Sequence, residues 1–283
     1  MIFAAFRTAY AGVTMATTVC EPAPGLQGVT GEPWVGVRYF STWRVGGVSQ
    51  APRDSLNLGL HVGDDPQAVQ ENRRRLRRGL PDSPIWLNQV HGTAVFDAEG
   101  VVQPAEGQRD AGTRSYPCAD AAVTMRRDRP LAIMTADCLP VVLADTAGTV
   151  LGMAHAGWRG LAAGVLERTL DAMRARAPHA SGWRAWIGPG IGPEAFQVGP
   201  EVRAAFVDVD AGLASCFVAE PDGTHWRADL AGLARARLAQ AGVAHVESCG
   251  ECTWTRADRY FSHRRDPRSG RQVTLAWLAT YPD

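Results

Sequence analysis

The chain has 283 residues, of which 46% are hydrophobic and 20% charged, and its 29 basic residues balance its 29 acidic ones. This is globular composition, and a chain without net charge has no overall field to attract nucleic acid or an anionic membrane. Every basic residue is Arg, which excludes Schiff-base lysine chemistry and phosphate loops that end in Gly-Lys-Ser/Thr.

The N-terminal region differs in character from the rest. Residues 1–20 lack the basic start of a signal peptide, and residues 20–33 are rich in Pro, Gly and Thr. We therefore predict a disordered or over-extended segment over residues 1–33 and a catalytic domain over residues 34–283. No apolar run is long enough to span a membrane, and six scattered cysteines are typical of reduced thiols in the cytoplasm.

Regular structure is predicted to begin with an apolar strand at residues 34–40. Asp-Asp-Pro at 64–66 is a helix cap, and the amphipathic pattern that follows predicts a helix up to residue 80. Residues 85–90 form a short apolar strand, and residues 94–98 return as its hairpin partner.

Strands dominate the middle of the chain, and helices occur at intervals rather than strictly between strands. This order indicates an α+β (mixed α/β) fold, a single domain with a mixed β-sheet core flanked by helices. Further strands are predicted at 121–125, 131–135, 140–144, 149–154, 183–187, 243–246 and 273–278, and helices at 160–176, from Pro200, and from an Asp229 cap to residue 240.

A hairpin brings one cysteine close to one histidine. Residues 145–148 have the composition of a four-residue turn, and counting outward from it places Cys138 opposite His155. Cross-strand partners project on one face about 4.5–5.5 Å apart. Such a pair could share a metal ion or form a Cys–His nucleophile, and the spacing leaves both open.

His91 is the third candidate ligand, because it ends a predicted strand at a glycine, where a side chain can point into a cleft. Two His and one Cys would leave one tetrahedral position for water or substrate, which is the catalytic pattern of zinc sites. The sequence therefore predicts a zinc enzyme with His91, Cys138 and His155 as both metal ligands and catalytic residues.

Several long motifs occur in order from Val37 to Leu278, nearly the whole chain. In them the chain strongly resembles the YfiH-like, laccase-domain family, once called multicopper polyphenol oxidases. The motifs are Ser55-Leu-Asn-Leu-Gly59, His61-Val-Gly-Asp64, Asn88-Gln-Val-His-Gly92, Thr135-Ala-Asp-Cys-Leu-Pro140, Ala154-His-Ala-Gly-Trp-Arg-Gly160, Ile187-Gly-Pro-Gly-Ile-Gly-Pro193 and Phe261-Ser-His-Arg-Arg265.

The resemblance implies a mixed β core and zinc held by the three residues above. It also implies a purine nucleoside enzyme that uses inorganic phosphate to cleave adenosine, inosine, guanosine and methylthioadenosine, and that deaminates adenosine. Asp137 is a candidate proton carrier, although a turn or supporting role is equally open. Residues matching family polar positions, expected around substrate or phosphate, are Arg44, Asn57, His61, Arg159 and Arg264.

Three other functions remain open. A copper-dependent polyphenol oxidase would need many His ligands, yet the chain has seven histidines, and only His61, His91 and His155 fall in promising motifs. Copper could still replace zinc in a single site. A metal-free hydrolase could use Cys138 and His155 on an amide of a cell-wall precursor. Finally, zinc could merely stabilise a binding module.

Overall fold

The computed structural model describes residues 17–100 and 116–280. In chain order its strands are β1 (Thr18–Ala23), β2 (Leu26–Thr30), β3 (Val37–Thr42), β4 (Val95–Asp97), β5 (Ala121–Thr124), β6 (Leu131–Thr135), β7 (Leu139–Asp145), β8 (Leu151–Ala156), β9 (Trp183–Ile187), β10 (Gln197–Val198), β11 (Phe217–Ala219), β12 (Trp226–Ala228), β13 (His245–Ser248) and β14 (Gln272–Leu278). The α-helices are α1 (Pro66–Arg77), α2 (Trp158–Ala162), α3 (Val165–Arg176), α4 (Pro200–Val207) and α5 (Leu230–Gln240), and two 3-10 helices span Leu60–Val62 and Ala211–Cys216.

Two large sheets pack face to face. One has the strand order β1-β2-β3-β14-β6, the other β13-β9-β7-β8-β5-β4, and a small third sheet has the order β10-β12-β11. Parallel and antiparallel pairs occur in the second sheet. This is the mixed α+β architecture expected from the sequence.

Among the residues that the structure describes, three apolar clusters divide the core into layers. The first joins the outer face of the six-stranded sheet to α3 and α5, and the second fills the space between the two large sheets. The third joins the outer face of the five-stranded sheet to α1. The strands β7 and β8 both contribute alternate residues to the first and second clusters, because successive side chains of a strand point to opposite faces of the sheet. Both strands are therefore apolar throughout and buried.

The sequence predicts a disordered or over-extended segment over residues 1–33, and the structure contradicts disorder for residues 18–30. These residues form β1 and β2, an antiparallel hairpin that extends the five-stranded sheet through β3. Leu26 and Val29 are 1% and 0% exposed, so burial of apolar side chains compensates for the Gly and Pro content that indicated a linker. Residues 1–16 lie outside the described residues.

Two other elements differ from the prediction. The hairpin of residues 85–90 with 94–98 does not form: Ile85 and Asn88 make isolated bridges to other segments, and β4 pairs in parallel with β5. The helix predicted at 160–176 is two helices, because Gly164 has a left-handed φ of 92° that ends α2 and begins α3. Among the described helices, none has the length and hydrophobicity to cross a membrane.

Candidate metal centre

His91, Cys138 and His155 meet in one cluster. Their candidate ligand atoms all lie within 4.8 Å of one another. The Cys138 Sγ is 3.8 Å from the His91 Nε2, and the two imidazole rings meet edge to face. His91 is exposed, Cys138 half-buried and His155 buried, so the cluster runs from the surface into the core and stays accessible on the His91 side.

The hairpin register that predicted this meeting is wrong by two residues. Pro140, not Cys138, lies opposite His155. The Asp145 carboxylate accepts the backbone N–H groups of Thr149 and Val150, which lengthens the turn before pairing begins. A shift of two residues keeps every side chain on its face, whereas a shift of one would not. Cys138 itself lies in the loop between β6 and β7 and reaches the cluster from there.

Asp120 holds both histidines, and the sequence analysis missed it. Its carboxylate receives the His155 Nδ1 at 2.9 Å and the backbone N–H groups of Val90, His91 and Gly92 at 3.2, 2.9 and 2.7 Å. Burial opposes ionisation, but the hydrogen bonds from His155 and Gly92 outweigh it and lower the pKa of Asp120. With Nδ1 engaged, His155 presents Nε2 to the cluster, an arrangement typical of metal-binding histidines.

The signal that could have identified Asp120 is a strand pairing. It precedes β5, whose first residue pairs with Ala154 of β8, and the His155 N–H donates to the Asp120 carbonyl at 2.7 Å. An acidic residue before one strand thus lies opposite a histidine of another. In the sequence, β6 and β7 lie between β5 and β8. The pairing of β5 with β8 is therefore not predicted by any local turn pattern.

The cluster favours a thiolate. Burial raises the pKa of the Cys138 thiol, but the charge and hydrogen bond of His155, with a further hydrogen bond from His91, lower it to about 6. Burial conversely lowers the pKa of His155, and the charge of Cys138 with the hydrogen bond to Asp120 raise it to about 9. Thiolate is the form of Cys that binds metals.

The backbone around the cluster is unusual. His91 and Asp137 have positive φ angles of 61° and 97°, in the region that residues other than glycine rarely adopt, and such residues concentrate at functional sites. Gly157 leaves space for the ligands, because a Cβ there would lie 2.9 Å from the Cys138 Sγ and 3.0 Å from the His91 Cδ2.

This donor set fits a single metal ion. Two imidazoles and one thiolate are the ligands that zinc and copper accept, and three protein ligands leave a fourth position open. Among the described residues this is the one group of three or more such side chains able to hold an ion.

Asp137 anchors the loop that carries Cys138. Its carboxylate accepts the Thr253 hydroxyl and the Arg264 backbone N–H, each at 2.7 Å, and its carbonyl accepts the Ile191 N–H at 2.8 Å. The side chain is buried, so these contacts favour the supporting role over that of a proton carrier.

Asn57 lies away from any surface that a substrate could reach. It is 0% exposed, its Nδ2 donates to the Gly59 carbonyl and the Asp64 carboxylate, and its Oδ1 accepts the N–H groups of Gly59 and Arg271. These four hydrogen bonds use its amide within the protein. The geometry therefore assigns Asn57 to holding the loop, not to direct substrate contact as the resemblance implied.

The side chain of Arg44 is largely engaged by the protein. It donates to the Asp54 carbonyl, pairs with the Asp54 carboxylate at 3.1 Å, and lies over the Phe261 ring. His61 is exposed in the short 3-10 helix, with His155 among the charged groups that act on it.

The remaining two predicted substrate residues are both exposed. Arg159 is the second residue of α2, and its guanidinium lies 4.4 Å from the centre of the Trp158 ring. Arg264 donates its backbone N–H to Asp137 and its guanidinium to the Gln197 carbonyl. One backbone bond thus links it to the Cys138 loop.

Comparisons with known proteins settle the family. A family model described as "Multi-copper polyphenol oxidoreductase laccase" matches residues 38–279. The chain belongs to this family. The resemblance in its motifs is thereby confirmed.

Named relatives cover most of the chain. A protein of Pseudomonas aeruginosa called a purine nucleoside phosphorylase is 48% identical over 86% of this chain and 93% of its own length. The purine nucleoside phosphorylase YfiH of Escherichia coli is 45% identical over 86% of this chain and 94% of its own.

Solved structures of family members have the same fold. A Neisseria meningitidis protein superposes with a TM-score of 0.77 at 41% identity, covering 93% of this chain and 99% of its own. YlmD of Geobacillus stearothermophilus gives 0.80 at 29% identity, with coverage of 93% and 99%.

Proposed function

We propose that this protein is a zinc-dependent purine nucleoside phosphorylase that also deaminates adenosine. One observation carries the proposal: an open cluster of two histidines and one cysteine lies in a chain that is 45–48% identical to relatives named purine nucleoside phosphorylases. The substrates are adenosine, inosine, guanosine or methylthioadenosine, with inorganic phosphate as co-substrate. Six free thiols support a cytoplasmic location.

The metal would be held by His91, Cys138 and His155. When bound, a zinc ion supplies a Lewis acid that activates water or polarises a substrate oxygen near neutral pH. Asp120 keeps the proton of His155 on Nδ1, and its bonds to the backbone of residues 90–92 hold His91 in the matching orientation. Asp137 keeps Cys138 in place through Thr253.

The test is chromatographic and uses zinc-loaded protein with adenosine, with and without phosphate. We expect phosphate-dependent adenine, phosphate-independent inosine, or both. Cys138→Ala should lose zinc and product together, whereas Cys20→Ala, at a thiol in β1 outside the cluster, should keep both. Absence of product from adenosine, inosine, guanosine and methylthioadenosine with zinc-loaded wild type would refute the proposal.

A second candidate is a metal-free cysteine hydrolase acting on an amide. The observation in its favour is the series Cys138, His155 and Asp120, in which a thiol of lowered pKa faces an imidazole oriented by a carboxylate. The hydrolase hypothesis gives no function to His91, which also contacts the Cys138 thiol. Activity on a cell-wall peptide that survives chelation and is abolished by a thiol alkylator would establish it.

Copper is the alternative metal, and the family's name refers to it. The described ligand set accommodates one ion, whereas multicopper oxidases need several. Elemental analysis of the purified protein, followed by activity after reconstitution with zinc or with copper, distinguishes the two metals.

A further inference from the structure

Arg271 lies beside the metal centre although no family motif in the sequence drew attention to it. The residue precedes β14, whose Gln272 pairs with Thr135 of β6. Continuing this antiparallel register by one residue places Arg271 opposite Ala136, two residues before Cys138. Asn57 fixes its backbone by accepting the Arg271 N–H at 2.9 Å.

The guanidinium has one nitrogen engaged and one edge free. Its Nη1 donates to the Ser269 and Gly270 carbonyls, both at 2.9 Å. Among the described residues the structure gives no hydrogen bond to Nε or Nη2 and no ion pair to the side chain. Nε and Nη2 form the parallel edge of a guanidinium that binds two oxygens of a phosphate or carboxylate at once.

The surroundings of Arg271 are basic on the side of the 3-10 helix. A Cβ added at Gly59 would lie 2.9 Å from the Arg271 Cγ and 3.4 Å from the His61 Cε1, so the two side chains flank the same glycine. Burial lowers the pKa of His61, and its charged neighbours lower it further. Those neighbours are all basic: Arg271, Arg73 and His155.

Arg271 is itself partly buried. Burial lowers the pKa of its guanidinium, and the negative charges of Cys138 and Asp137 oppose that effect only in part. A partly buried cation without a bonded carboxylate is costly to the folded protein, and an oxyanion on its free edge would offset that cost.

We propose that the free edge of Arg271 binds the inorganic phosphate co-substrate between His61 and the Cys138 loop. The identity of the anion rests on the proposed function, because phosphorolysis requires phosphate next to the nucleoside. Arg271 thus positions the attacking phosphate beside the loop that carries Cys138, whose charge acts on the Arg271 guanidinium.

The experiment measures phosphate binding apart from turnover. Titration calorimetry of inorganic phosphate into zinc-loaded wild type, Arg271→Met and Arg271→Lys should give binding that is weakened about 10- to 100-fold by Met. Lys keeps the charge but loses the two-point edge and should be intermediate. The matched control is Arg268→Met, since Arg268 is 76% exposed and pairs with Asp266. Zinc content should be equal in all four proteins.

A second measurement needs no variant. Phenylglyoxal modifies accessible arginines, and peptide mapping of the wild type should show that phosphate protects Arg271 but not Arg268. Equal phosphate affinity in a folded Arg271→Met, or an Arg271 that phosphate leaves unprotected, would overturn the assignment.

Kinetics separate this inference from the reaction on which it rests. If nucleoside is phosphorolysed and Arg271→Met raises the KM for phosphate but not that for nucleoside, both stand. If phosphorolysis proceeds with an unchanged KM for phosphate, the Arg271 site fails and the proposed reaction survives. If phosphate binds through Arg271 but no nucleoside is cleaved, the reaction fails and the anion site remains.

Discussion

One buried carboxylate organises the metal centre. Asp120 accepts four hydrogen bonds, three from the backbone that carries His91 and one from the ring of His155. Both imidazoles therefore depend on a residue that is not itself part of the ligand cluster. A carboxylate in this position also strengthens the histidine as a ligand by polarising its ring.

Asp120→Asn should lower zinc affinity about 10- to 100-fold. Both carboxylate oxygens of Asp120 now accept hydrogen bonds. In Asn one of them is replaced by an NH2 group, which cannot accept a bond from the His155 ring or from the backbone N–H groups of residues 90–92. Competition with a chromophoric chelator measures the affinity, and circular dichroism checks the fold. Asp222→Asn is the matched control, because Asp222 also accepts a histidine Nδ1, at 2.6 Å, but in an exposed pair with His225. An affinity within twofold of wild type would show that Asp120 is dispensable.

Gly157→Ala should disrupt metal binding while leaving the fold intact. The new Cβ would lie about 3 Å from both the Cys138 Sγ and the His91 Cδ2, too close for either to stay in place. Zinc stoichiometry after dialysis measures the loss. Gly100→Ala serves as control, since a Cβ there meets nothing within 4 Å. Full zinc occupancy in Gly157→Ala would mean that the ligands can shift without cost.

The β1–β2 hairpin belongs to the folded domain although its composition is that of a linker. Its inner residues join the cluster beneath the five-stranded sheet together with Leu56, Leu76 and Trp86. Gly28 illustrates how closely the hairpin packs, because a Cβ there would lie 2.5 Å from the Ser41 carbonyl oxygen.

Leu26→Ala should cost about 2–5 kcal/mol in the free energy of unfolding, as expected for a leucine truncated in a packed core. Gln27→Ala, at the exposed neighbouring position, should change it by less than about 0.5 kcal/mol. Chemical denaturation followed by fluorescence compares the two variants. Equal, small effects would indicate that residues 18–30 are only loosely attached.

The apolar clusters hold the molecule together independently of the metal. The three described clusters span both large sheets and the flanking helices, whereas the ligand cluster lies where the loops that carry His91 and Cys138 meet the end of β8. We therefore expect the metal-free protein to remain folded, unlike small domains that depend on zinc to fold.

Removal of zinc by a chelator should lower Tm by roughly 5–10 °C relative to protein in free zinc at about 100 times Kd. Differential scanning calorimetry measures the shift, and restoring zinc should reverse it. Cys138→Ala should unfold at one temperature with or without zinc. If chelation unfolded the protein at room temperature, zinc would be a structural staple and the non-catalytic binding module would become the better hypothesis.

Local patterns in the sequence predicted much of this protein. β6 and β9 have the bounds expected from their apolar runs, and α5 begins after its Asp229 cap, whose carboxylate accepts the Gly232 N–H. These features depend on neighbours within a few residues, and so did the motifs that indicated the family. His91, Cys138 and His155 were likewise recognisable as a group from those motifs.

The tertiary structure was needed wherever a residue's role depends on a partner distant in the chain. Asp120 reaches His155 through the pairing of β5 with β8, and Arg271 reaches the Cys138 loop through β14 and β6. The motifs predicted a substrate contact for Asn57, but its amide is used within the protein by hydrogen bonds with Asp64 and Arg271. Pairing between distant strands is selected by how whole apolar faces pack together, and no short stretch of sequence contains that information.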